Sequence, residues 1–164
     1  MIRGVGLSVM VMLLTAGGCT ANGAPTMSQS TTLPVTVIAE AQHCGNHSQP
    51  AVSRIGSSDQ LPRLDDRSGI VESMPETDFN SQQLILLRMG QQPTPGYGLA
   101  NPEARLDAGT LHITVDWQSP PPGLLQAQVI TYPCLLIALP QETFEQIEVR
   151  DRDGQLRMTG HGSR

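Results

Sequence analysis

Leu111-His112-Ile113-Thr114-Val115-Asp116-Trp117-Gln118 places an apolar side chain at every second position. Side chains of an extended chain alternate between two faces, so this stretch predicts a strand with one core face and one polar face. Asp107-Ala108-Gly109 just before it reads as a tight connection that pairs residues near 97–106 with 110–117. Pro102 in the first partner cannot donate to a ladder, which predicts an edge or a bulge there. Residues 84–89, LILLRM, form a near-continuous apolar run fit for a buried strand. Further strands are expected at 34–39, at 127–132 and at 135–139, the last two separated by Pro133. Ile147 and Val149 alternate, Asp153-Gly154 makes a turn, and Leu156 and Met158 alternate again, which is a hairpin pattern. Helix signals are weak. Ser57 and Ser58 can cap a turn that Pro62 limits, which predicts one short helix near 57–64. With 13 prolines and 16 glycines as punctuation, the fold class is all-β, a small antiparallel β-sandwich or barrel.

The chain has 164 residues, a length suited to one domain or two, and a formal net charge of −5. All of its basic residues are Arg, since the sequence contains no Lys. That excludes Schiff-base lysine chemistry, a P-loop lysine and a Ser-Lys dyad. An acidic chain with no basic block is also a poor nucleic-acid binder.

The N-terminus reads as an export signal. Arg3 precedes an uncharged apolar run over 4–14, which is shorter than the ~20 residues a spanning helix needs. Leu14-Thr15-Ala16-Gly17-Gly18-Cys19 then resembles a bacterial lipoprotein cleavage box, in which the Cys becomes the lipidated first residue. The expectation is a lipoprotein signal peptide over 1–18, lipidation at Cys19, and a flexible tether to residue 33, because 20–33 is small and polar. Thr20 after the Cys points to the outer membrane, facing the periplasm. The β-rich domain is expected over 34–159 and a disordered tail over 160–164. Once Cys19 carries lipid, Cys44 and Cys134 remain, and the exported compartment is oxidising, so a Cys44–Cys134 disulfide is expected.

No convincing catalytic group is present. His43-Cys44-Gly45-Asn46-His47 holds three potential ligands, but a structural zinc site needs a fourth, and a disulfide would remove the thiolate. His112 falls on the polar face of its strand. Asp65-Asp66 diverge on a loop, and Asp151-Arg152-Asp153-Gly154 reads as a hairpin turn that lacks the later ligands of a calcium loop. There is no nucleophile elbow and no glycine-rich phosphate cradle. Neither a metal nor a cofactor is expected.

Two stiff loops stand out. In 89–97, MGQQPTPGY, two prolines pre-set the backbone, Gly96 allows a positive φ, and Tyr97 is amphipathic. In 119–123, SPPPG, three prolines favour polyproline II geometry. A preorganised loop loses little entropy on binding. The candidate partner contacts are Pro93, Thr94, Pro95, Gly96 and Tyr97 in the first loop. In the second they are Pro120, Pro121 and Pro122, with Trp117 just before it.

Asp78-Phe79, LILLRMG at 84–90, PTPGY at 93–97, the hairpin ending in LHITVDW at 111–117, SPPPG at 119–123 and QVITYPCLLIALP at 128–140 occur in a telling order. That order resembles the C-terminal domain of the PrcB family of protease-complex subunits. Pro95 stands where that family has the first of two glycines, which stiffens the loop. The resemblance implies a non-catalytic accessory subunit that binds an exported protease or another envelope protein. PTPGY is also similar to the Asn-Pro-Thr-Thr-Gly-Tyr loop of chagasin-type cysteine-protease inhibitors, with Gln92 where that motif has Asn. A peptidase inhibitor and a structural envelope lipoprotein are the alternative expectations.

Overall fold

A computed structural model describes residues 30–63, 70, 76–123 and 125–162. The expected signal peptide, Cys19 and most of the expected tether lie outside the described residues. So do Asp65-Asp66 and the last two residues of the expected tail.

Among the described residues, nine strands form two packed sheets. They are β1 (Thr31–Leu33), β2 (Thr36–Ala41), β3 (Ala51–Ile55), β4 (Gln82–Arg88), β5 (Gly98–Asp107), β6 (Thr110–Gln118), β7 (Cys134–Pro140), β8 (Gln146–Asp151) and β9 (Leu156–His161). One sheet has the order β1-β5-β6-β8-β9 and the other β2-β7-β4-β3. The fold is therefore a sandwich rather than a barrel. The short helix expected near 57–64 is a 3-10 helix, Ser58–Arg63.

The apolar runs decide what packs where. In β4, Ile85 and Leu87 face the space between the sheets, while Leu84 and Leu86 face outward. In β7, Leu135, Ile137 and Leu139 face inward, while Leu136 and Ala138 face outward. The register pairs like with like, Ile85 against Ile137 and Leu86 against Leu136. A strand that is apolar at every position must be covered on both faces. The inner cover comes from Leu111, Ile113 and Val115 of β6 and Ile147 and Val149 of β8. The outer cover is a second cluster containing Ile55, Ile70 and the two cysteines, with Leu61 and Phe79 packed against it. Gln83 at the core margin is fully buried, and its amide donates to the carbonyls of Pro140 (3.0 Å) and Glu142 (3.1 Å) while Arg54 donates to it.

Several expectations are corrected. β1 lies inside the stretch read as tether, because Leu33 buries against the core and β5 offers a free edge. β3 carried no readable stripe: Val52 joins the inner cluster and Ile55 the outer one, three positions apart on opposite faces. Residues 127–132 are not a strand. β7, which follows them, is flanked by β2 and β4 on its two sides, so the segment meets the sheet end-on and makes only isolated bridges at Thr131 and Tyr132. β6 and β8 pair in parallel, because the chain crosses to the other sheet for β7 before it returns. β9 runs into the expected tail, to His161. Pro102 sits at a shift of register between Ala100 and Glu103, a bulge as expected.

Candidate functional site

The sandwich has two ends. At one end lie the start of β1, the 108–109 turn and the connections 141–145 and 78–81, since Thr31 pairs with Leu106 and Gln82 with Pro140. At the other lie the connections 42–50, 89–97 and 118–133, together with the 152–155 turn, since Ala41 and Arg88 both pair with Cys134. Both proline loops that the sequence singled out are at this second end, and they touch. A side-chain Cβ placed on Gly96 would stand 3.1 Å from Cβ of Pro120.

Backbone hydrogen bonds lace the three connections together. Gln92 and Thr131 exchange a pair, with Gln92 N donating at 2.8 Å and Thr131 N at 3.0 Å. Met89 N donates to Pro133 O (2.8 Å) and Gln91 N to Ser48 O (3.3 Å). Tyr132 N donates to Gln42 O (2.8 Å), and Cys44 N donates to Tyr132 O (2.9 Å). The buried Thr131 hydroxyl donates to Thr94 O at 3.2 Å, and the Gln42 amide donates to Tyr97 O at 3.3 Å. The Cys44–Cys134 disulfide, with alpha carbons 5.9 Å apart, fastens the 42–50 connection to the start of β7. Gly90 has φ +81° and its alpha carbon lies against the Gln49 backbone, which a Cβ would approach to 2.8 Å. These loops are built to one shape.

The predicted contacts divide. Pro93, Gly96, Pro121 and Pro122 are exposed at the tip, while Thr94, Pro95 and Pro120 are half-buried. Tyr97 and Trp117 are also half-buried and pack against the core. Arg157 covers the Trp117 ring, its guanidinium carbon 4.9 Å from the ring centroid. Both aromatics therefore serve first as supports of the loops. Exposed apolar side chains in the 118–133 connection are Leu125, Val129 and Ile130, the last two within the stretch 127–132 expected as a strand. The signal that marks them is charge. Residues 41–53, 89–102 and 117–141 contain no Asp, Glu, Lys or Arg. A surface depleted of charge and carrying exposed apolar side chains has the composition of an interface core.

Charge collects at the margin, on the 152–155 turn. Arg152 donates to Asp116 Oδ1 (2.7 Å), Glu103 Oε1 (2.7 Å) and Asn101 O (2.8 Å). The Asn101 amide, then Arg152, hold the Asp116 carboxyl below the usual carboxylate range. Burial pushes the Asp151 carboxyl up, but the Gln155 amide and Arg157 together outweigh it and leave it lowered. These bonds brace the turn and the bulge of β5. They form no acid–base pair facing a cleft.

The cavity beside Tyr97 and Gln118 is about 180 Å³, smaller than the ~300 Å³ at which small-ligand pockets begin. Among the described residues no three His, Cys, Asp or Glu side chains gather to hold a metal. The arrangement can present a rigid, uncharged surface to a larger body.

Residues 84–140, about a third of the chain, match the family model described as PrcB C-terminal, in agreement with the resemblance carried by the motifs. The matched segment runs from β4 through β7, so it contains the central strands of both sheets and the two proline loops. No curated protein and no solved structure matches the chain.

Proposed function

We propose, from the PrcB C-terminal match over residues 84–140, that this protein is a non-catalytic accessory subunit that binds an exported protease through its uncharged loop face. The observation that carries this reading is the charge-free end formed by 42–50, 89–97 and 118–133, with Leu125, Val129 and Ile130 exposed on it. Preorganised loops bind with little ordering cost, and exposed apolar side chains supply the area to be buried.

The polarity of the fold favours a protein partner over a lipid surface. The described chain enters at Thr31, beside Leu106, and the proline loops lie beyond Gly98 at the far end of β5. Eight residues of strand put them about 26 Å apart. A chain lipidated at Cys19 and tethered through 20–30 would hold the loop face away from the outer membrane, towards the periplasm.

The test is a crosslinking pull-down of the full chain from its own envelope, read by mass spectrometry, beside the double substitution Leu125→Asp and Ile130→Asp. The expected result is an exported protease recovered with the wild-type chain and lost with the variant, whose melting temperature is unchanged because both side chains are exposed. Recovery of the same partners by both chains removes the loop face from the reading. The similarity of PTPGY to inhibitor loops supports a second outcome, in which the recovered protease loses activity on binding instead of gaining stability.

A further inference from the structure

The outer face of the five-stranded sheet holds an open trough of about 570 Å³, within the ~300–1,000 Å³ of small-ligand sites. It lies on the side of the sheet away from the core. Two cross-strand rows make its floor. In one, Thr32, Arg105, His112 and Glu148 stand on successive strands β1, β5, β6 and β8. In the next, Glu103, Thr114 and Arg150 stand on β5, β6 and β8. Val35 and Pro102 border it with apolar surface.

All but one of the full charges on this floor are already engaged. Glu148 accepts from Arg150 at 3.1 Å and lies 3.5 Å from His112 Nδ1. Arg150 also donates to Gly154 O at 3.0 Å. Glu103 is held by Arg152 at 2.7 Å. The Arg105 side chain is exposed and makes no hydrogen bond or ion pair with another described residue. Both acids of the floor are bonded to other cations. The trough therefore presents one guanidinium that no described acid engages, beside Thr32 and Thr114. The floor carries two arginines and two glutamates, so it has no net positive charge to attract a multiply charged anion. A multiply charged anion such as phosphate would meet Glu103 and Glu148 on the same floor. A guanidinium fork matches a carboxylate with two parallel hydrogen bonds.

We propose that this trough binds a monoanionic carboxylate ligand of short-peptide size, with the carboxylate on Arg105. The ligand is either the free C-terminus of a peptide or a small organic acid. The site is independent of the loop face, and the Leu125→Asp, Ile130→Asp chain retains it.

The experiment is a calorimetric titration of the full chain with N-acetyl-trialanine, with its C-terminal amide and with hexanoate. Saturable binding of at least one acid is expected. The amide, and either acid with Arg105→Gln, should bind about ten- to a hundredfold more weakly, the range for loss of a charge-assisted hydrogen bond. Arg105→Lys should retain part of the affinity, since it keeps the charge and loses the fork. The tighter of the two acids identifies the source of the carboxylate. Equal binding of N-acetyl-trialanine and its amide, no saturable binding of either acid at millimolar concentration, or unchanged affinity in a folded Arg105→Gln chain overturns the proposal.

Discussion

Single residues show how tightly the loop face is specified. Gly90, Gly96 and Gly109 all have positive φ, but their surroundings differ. A Cβ on Gly109 would meet nothing within 4 Å, on Gly96 it would press on Pro120 at 3.1 Å, and on Gly90 it would overlap the Gln49 backbone at 2.8 Å. Substitution by Ala should therefore cost least at 109, about 1 kcal/mol from backbone strain alone. At 90 the cost should be greatest, about 2 kcal/mol or more, because backbone must move. Chemical denaturation of the three variants checks the order. Asp116 and Asp151 give a second residue-scale expectation. Both carboxyls lie below their ordinary value when folded. Their contribution to stability is present above the unfolded value of about 3.9 and is lost as the pH falls through the lower folded value. Amide exchange in the 152–155 turn should accelerate below about pH 4, and Asp116→Asn should weaken that dependence. An exchange profile flat through the acid range, with the turn intact, would contradict the assignment.

Among the elements, β4 and β7 are the ones whose sequence carried the most information. A run that is apolar at every position cannot be an edge or a one-sided strand, and both strands lie in the interior of their sheet, covered on both faces. β6 was equally legible through its alternation, and the 107–109 turn and Pro102 bulge came with it. β3 and β1 were not legible, because each buries too few apolar side chains to leave a pattern. Residues 127–132 had a strand's composition, but they lead end-on into β7, whose two sides are taken by β2 and β4. The disulfide acts at this scale as well. It closes a separation of 90 residues, and its removal by Cys44→Ala with Cys134→Ala should cost ~4 kcal/mol through the unfolded chain. It should also free the 42–50 connection from the loop face. Denaturation curves and amide exchange at Tyr132 and Cys44 read the two effects separately.

For the molecule as a whole, the consequence of the topology is polarity: the chain enters at one end, the uncharged loops gather at the other, and the carboxylate trough lies on a side. Charged substitutions on the loop face should abolish partner capture without changing the melting temperature, while Arg105→Gln should leave capture intact. A chain in which both properties fall together, with the fold unchanged, would mean that trough and loops act as one surface. The sequence by itself determined the all-β class, the strands with strong apolar patterning, the cysteine pairing and the order of motifs that matches the PrcB C-terminal family. These follow from local periodicity and composition, which a linear reading can see. Only the tertiary structure decided that the fold closes as a sandwich, that β6 and β8 run parallel, and that Gly96 meets Pro120. It also decided that Tyr97 and Trp117 pack against the core, while Leu125, Val129 and Ile130 are exposed. Each of those depends on which sheet edge is free and which face is already covered, and such facts exist only once distant segments have packed.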